Sequence, residues 1–256
     1  MLTKSGPSAS CPEGMDPAEW AVRIDLAALY RLVALEKWDD LIFTHISARV
    51  PGPEGHFLIN PYGDFFEEIT ASSLVKVDKD GNLIEAGDRF INPAGFTIHS
   101  AVHSAQSDAH YVIHLHAEAM CAVSTQTDGL LPLTQTALLI LPQLARHRYE
   151  GVALNLDERA RIVDDLGDKK LMLLDNHGGL AIGYSAAEAW TRIYFLERAC
   201  RQQIMALSAG RDGVLIAPEA AQAEVRQQSS GLGFVAGLLW PACLRRLDRT
   251  LPGYAG

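Results

Sequence analysis

Cationic side chains are scarce in this chain of 256 residues. Lysine and arginine number 22 against 31 aspartates and glutamates, a formal charge of -9. A sequence-independent grip on nucleic acid or on an anionic membrane needs clustered Lys and Arg, so neither partner is expected. Cysteine is scarce too. Cys11, Cys121, Cys200 and Cys243 stand apart, with no CxxC pairing. They read as reduced thiols, not as a disulfide frame. No run of about 18 apolar residues occurs, which excludes a helical membrane span. The opening stretch "MLTKSGPSASCPEGMDP" lacks an apolar h-region. No signal peptide is therefore expected, and the expected location is the cytoplasm. Internal repeats, low-complexity blocks and a break between two large domains are also missing.

What is present is an ordinary soluble composition, 48% hydrophobic and 21% charged, long enough to bury a sizeable core. Residues 1–16 are rich in Ser, Pro and Gly and read as a flexible tail. The main domain is expected over 17–209. Residues 210–256 form a C-terminal extension expected to pack on its own or a neighbouring subunit. Asp16 and Pro17 cap a helix whose stripe is Val22, Leu26, Leu29, Val33 and Leu35. A hairpin follows over "LIFTHISARVPGPEGHFLINP". A short helix capped at Thr70, a strand, the turn "DKDGN" and another strand come next. "NPAGFTIHSAVHSA" predicts a helix, "YVIHLHA" a buried strand, and residues 117–125 a further helix. A helix, the strand "LMLLDN", the turn "HGG", the strand "LAIGY" and a long helix capped at Ser185 complete the domain. Strands and helices intermix without strict alternation, which suggests an α/β or α+β sandwich.

The stretch "HYVIHLHAEAM" sets His114 and His116 at the end of an apolar run. Residues two apart on a strand share a face, so the two imidazoles aim at one point. That is metal-ligand geometry. The alternative is two polar residues on a solvated strand face. A third ligand is needed, and His177 in "DNHGGL" reads equally as that ligand or as a polar turn residue. Glu118 and Asp175 read either as carboxylates that orient a ligand histidine or as solvated charges. Tyr149 and Tyr254 are candidates to reach a neighbouring subunit's site.

In order along the chain, "LIFTHISARVPG", "HFLINPYGDFFEEITASSLVKVDKDGN", "INPAGFTIHSAVHSAQSDAHYVIHLHA", "GLLPLTQTALL" and "LLDNHGGLAIG" resemble the class II aldolase/adducin N-terminal domain family, in the wording of its adducin-head branch. The resemblance covers about residues 18–207. It implies a three-layer α/β/α sandwich with a central, mainly antiparallel sheet. It also implies a tetramer, and one divalent metal per subunit held by His114, His116 and His177. Zinc is the first expectation, with iron or manganese as alternatives.

The chain also departs from the aldolases. Their metal-linked acid/base Glu falls on Gly95, and two phosphate-holding serines fall on Pro93 and Ala94. A small pair near the substrate falls on Tyr62 and Gly63. Candidate substrate-lining positions are therefore His45, Asn60, Gly63 and Gly95, the last either relieving crowding near a helix start or leaving a coordination site open. His99, one turn after Gly95, is the candidate acid/base or extra ligand. His103 reads as a helix-face residue that packs or hydrogen-bonds. The expected function is a metal-dependent lyase or isomerase acting on an oxygenated, non-phosphorylated carbonyl compound. The alternatives are a three-histidine non-haem iron oxygenase on an aromatic or oxo-acid substrate, and a non-catalytic binding module like an adducin head.

Overall fold

A computed structural model of the chain describes residues 10–256, apart from 53–54, 85–88, 152–156 and 229–231. Most of the expected tail, residues 1–9, lies outside the described residues. The elements run α1 (Pro17–Glu36), β1 (His45–Arg49), β2 (Phe57–Ile59), β3 (Val75–Val77), α2 (Pro93–Ala105), β4 (Tyr111–Leu115), α3 (Glu118–Ser124) and α4 (Gln135–Ile140). Then come β5 (Leu144–His147), α5 (Glu158–Leu166), β6 (Leu171–Leu174), β7 (Gly178–Gly183), α6 (Ala186–Leu207), α7 (Glu219–Gln228) and α8 (Leu232–Thr250).

The seven strands form one sheet in the order β3-β2-β1-β4-β7-β6-β5. Every neighbouring pair is antiparallel except β5 with β6. Helices cover both faces, so the expected three-layer sandwich is the fold. Period-2 alternation divides each strand between the faces. On one face Ile46, Ala48, Tyr111, Ile113 and Leu115 pack against α1, α3 and α6 in a single apolar core. On the other face Val112, Met172, Leu174, Leu180 and Ile182 pack with Ile98 and Val102 of α2 and Ile162 of α5. A separate small cluster on that side joins Phe57, Ile59, Val75, Val77 and Phe96.

Local signals set the helix ends. Asp16 accepts from the Ala18 amide with Pro17 behind it, and Ser185 accepts from the Glu188 amide. Two local expectations need correction. Thr70 does not cap a helix: Thr70 and Ser73 bond each other's backbone in a turn, preceded by a 3-10 turn at Phe66–Glu68. After "DKDGN" a bridge joins Val77 to Leu83, and the rest of the strand expected there falls on residues 85–88, outside the described residues. The edge strand β5 was not expected, because "LARH" is short and carries no alternation.

The last helix, α8, lies against α1 and α6. Ala236, Cys243 and Leu247 of α8 are buried, and Trp240 Nε1 donates to Asp25 of α1 at 3.2 Å. Phe234, Val235 and Leu238 stay exposed on the same helix. Tyr254 is buried, and its carbonyl accepts from the Ala71 amide at 2.8 Å. It therefore serves this chain's own core and is not free to reach a neighbour.

Candidate metal centre

Three elements deliver three imidazoles. β4 carries His114, buried in the sheet. His116 follows just before the chain turns into α3. His177 sits in the tight turn between β6 and β7, where Asn176 adopts φ 55°. Asn tolerates that left-handed conformation better than most residues. Gly178 lets this turn close on β4: a Cβ there would stand 2.3 Å from the Leu115 carbonyl oxygen. The ring centroids of His114, His116 and His177 lie 4.8 to 5.0 Å apart. One ligand atom from each lies within 4.8 Å of the others.

Hydrogen bonds fix which nitrogen is free in two of the rings. His114 Nδ1 faces the Gly179 carbonyl at 3.1 Å, and His116 Nδ1 faces Asp40 Oδ2 at 2.9 Å. Both partners accept, so both Nδ1 atoms carry the proton in the neutral rings. The two Nε2 atoms are then bare lone pairs, and they face each other at 3.2 Å. Two lone pairs at that distance are satisfied by a proton or by a metal ion between them. A tetrahedral ion bound at about 2.0–2.1 Å sets neighbouring nitrogens about 3.3 Å apart. The donor set therefore fits a divalent metal. Burial first, and then the neighbouring histidines, hold His114 well below the usual imidazole range. Burial and His116 push His177 down to about 4. Neutral imidazole is the ligating form.

Asp40 escaped the sequence reading. It lies in the α1–β1 link, where no periodicity operates and where Leu41 and Thr44 adopt φ 53° and 64°. Asp175 instead pairs with Arg146, and Glu118 is exposed at the start of α3. Neither hydrogen-bonds or ion-pairs with a ligand histidine among the described residues.

A cavity of about 710 Å³ opens over the three rings. Thr44 and His45 line it, as do Tyr149, Cys121 and the half-exposed rings of Phe43 and Tyr62, whose centroids are 6.5 Å apart. Among the described residues that line it, none is Lys or Arg. Of the expected substrate-lining positions, His45 is in the wall. Asn60 is not: it is buried, and its Oδ1 accepts from the Tyr30 hydroxyl at 2.8 Å. Gly63 is a turn glycine with φ 116°, and its Cβ position meets open space. Gly95 leaves no open coordination site. A Cβ there would lie 2.1 Å from His45 Cδ2 and 2.4 Å from His45 Nε2, so the imidazole fills the space above it. His99 stands one layer behind the wall, 2% exposed, with its Nε2 2.8 Å from His45 Nδ1. It reaches His45, not the cavity. His103 hydrogen-bonds, as expected.

Residues 24–204 match the profile described as Class II Aldolase and Adducin N-terminal domain. The chain belongs to this family. A Caulobacter vibrioides protein named for the class 2 aldolases is 66% identical over 250 residues, which is 97% of each chain. An aldolase II superfamily protein of Pseudomonas syringae superposes with a TM-score of 0.92 at 47% identity, covering 95% of this chain and 98% of that one. The L-fuculose 1-phosphate aldolase of Glaciozyma antarctica PI12 superposes with a TM-score of 0.81 at 25% identity, covering 95% and 97%. In this chain position 95 carries no side chain, and the His45 ring occupies the space beside it.

Proposed function

We propose that the protein is a metal-dependent lyase or isomerase acting on a small hydroxy-carbonyl compound that carries no phosphate. The observation that carries this reading is the pair of bare, facing Nε2 atoms of His114 and His116, with His177 beside them. One divalent ion per subunit suits three imidazoles, zinc first, with iron and manganese as alternatives. The chemistry supplied by such an ion, when bound, is Lewis-acid polarisation of a carbonyl oxygen. His114, His116 and His177 hold it, and Asp40 keeps the His116 ring oriented. The Phe43 and Tyr62 rings give the carbon skeleton an apolar wall.

The lack of Lys and Arg among the described wall residues supports a substrate without phosphate, because phosphate recognition relies on charge-assisted donors. Pro93, Ala94 and Gly95 likewise offer no side-chain hydroxyl or charge. A three-histidine iron oxygenase is the second reading, favoured by a cluster that contains no carboxylate. The exposed Phe234, Val235 and Leu238 support a homo-oligomer, a tetramer in this proposal. The unpaired thiols support a cytoplasmic location.

The test is metal analysis of the purified protein followed by turnover. Zinc or manganese with retro-aldol or isomerase activity on neutral hydroxy-carbonyls is expected. Fuculose 1-phosphate and dihydroxyacetone phosphate should turn over far below ordinary enzyme rates of about 1 s⁻¹. Iron with oxygen uptake would favour the second reading. Stoichiometric metal retained after His114→Ala with His116→Ala would refute the site.

A further inference from the structure

Behind the cavity wall a chain of hydrogen bonds runs between β1 and α2. It starts at a fixed point, the carbonyl oxygen of Ala109, which lies 2.7 Å from His103 Nδ1. A carbonyl only accepts, so His103 carries its proton on Nδ1 and leaves Nε2 bare. The Ser47 hydroxyl, 2.7 Å away, donates to that Nε2. Its single proton is then used, so Ser47 Oγ accepts from His99 Nδ1. His99 Nε2 is left bare and accepts from His45 Nδ1 at 2.8 Å. His45 Nε2 is the end of the chain, and it carries a lone pair. His45, His99 and His103 are 3%, 2% and 2% exposed, and among the described residues the hydrogen bonds of their rings go to one another, to Ser47 and to the Ala109 carbonyl, so no anion stands by to offset a buried charge and each ring is neutral.

His45 lines the cavity beside the metal cluster but is not a member of it. Its neighbour Thr44 lines the same cavity. The Thr44 hydroxyl is buried and has no hydrogen-bond partner. Thr44 also holds φ 64°, a conformation that is strained for a β-branched side chain. Such strain and such an unmade hydrogen bond persist where the surroundings impose them, and both concentrate at ligand sites.

We infer that the Thr44–His45 corner is a recognition subsite for a substrate hydroxyl, whose proton is accepted by His45 Nε2 in a tautomer set from Ala109 through His103, Ser47 and His99. This rests on the reading of the cavity as a hydroxy-carbonyl site. It deepens that reading by naming what the substrate presents at position 45. A carbonyl, carboxylate or phosphate oxygen offers only lone pairs to a lone pair and is rejected. A hydroxyl offers a proton, with the unspent Thr44 hydroxyl alongside. His99, Ser47 and His103 are positioning residues that act through His45.

Neutron diffraction from the deuterated, zinc-loaded protein tests the tautomer without any assay. Deuterons are expected on Nδ1 of His45, His99 and His103, and none on His45 Nε2. A deuteron on His45 Nε2 overturns the inference. Calorimetry tests the subsite with hydroxyacetone and 2,3-butanedione as probes. Hydroxyacetone, which can donate, should bind about tenfold more tightly, the worth of one hydrogen bond. Ser47→Ala should bring the ratio close to one with zinc stoichiometry unchanged, and Ser47→Thr should restore it. Equal binding of the two probes by the unaltered protein, or no binding of hydroxyacetone, overturns the subsite. Absence of zinc from the unaltered protein would instead sink the metal reading, and the deuteron positions would still decide the tautomer.

Discussion

The two faces of the sheet are built differently. The face toward α1, α3 and α6 buries one continuous apolar core, from Leu26 and Leu29 through Ile113 to Leu196. The face toward α2 and α5 buries two smaller apolar clusters. On that face a polar band of His45, Ser47, His99, His103 and His114 is buried, each member at most 3% exposed. Burying unpaired polar groups is costly, and this band avoids the cost by pairing its ring nitrogens with one another, with Ser47 and with backbone carbonyls. One face supplies stability. The other gives up apolar contact to hold imidazoles in defined tautomers at the cavity.

The largest way to separate the faces is acid. His45, His99 and His103 are held neutral in the fold, below the ordinary imidazole value of 6.5. In the unfolded chain they take up protons as pH falls through that value. A lowered native pKa therefore contributes stability that is present above about pH 6.5 and lost below it. Each histidine costs a little over 1 kcal/mol per pH unit, so the three together cost on the order of 4 kcal/mol near pH 5.5. Urea unfolding at pH 7.5 and pH 5.5 measures this. A flat profile would mean the band is not neutral and buried as described.

Next in size is a cavity on the apolar face. Leu29→Ala, at a fully buried position, should cost about 3 kcal/mol by denaturant unfolding. The metal affinity of the folded variant should match the parent, because α1 packs on the side of the sheet away from the histidine band. A parallel loss of metal would show the faces to be coupled.

The smallest effect expected is at Asp40. Asp40→Asn keeps the size but weakens the hold on His116 Nδ1, so metal affinity should fall about 10–100-fold, or roughly 1–3 kcal/mol. Unfolding of the metal-free protein should shift by less than about 1 kcal/mol, since Asp40 is half-exposed. Competition with a chelator reads the first quantity and thermal unfolding the second.

Much of this was legible from local chemistry. The cap at Asp16 and Pro17, the alternation through Val112, His114 and His116, and the glycines after His177 act within a few residues, so a linear reading finds them. The parts that escaped depend on distant partners. Asp40 meets His116 from 76 positions away, and Ser47 meets His99 and His103 across β1 and α2. Position 95 showed the difference most clearly. The missing side chain there reads either as relief of crowding or as an open coordination site; the fold shows crowding, with the ring of a residue 50 positions earlier filling the space.

That shared volume constrains how such a site can change. Positions 45 and 95 behave as one locus with two alternative fillings, a ring from β1 or a side chain from α2. A glutamate introduced at 95 alone would collide with the His45 imidazole, and a small residue at 45 alone would leave a hole with nothing to line it. Each single step passes through a poorer protein, so the two positions should exchange together along any lineage. An engineer seeking to convert one chemistry into the other must make the two replacements as a pair.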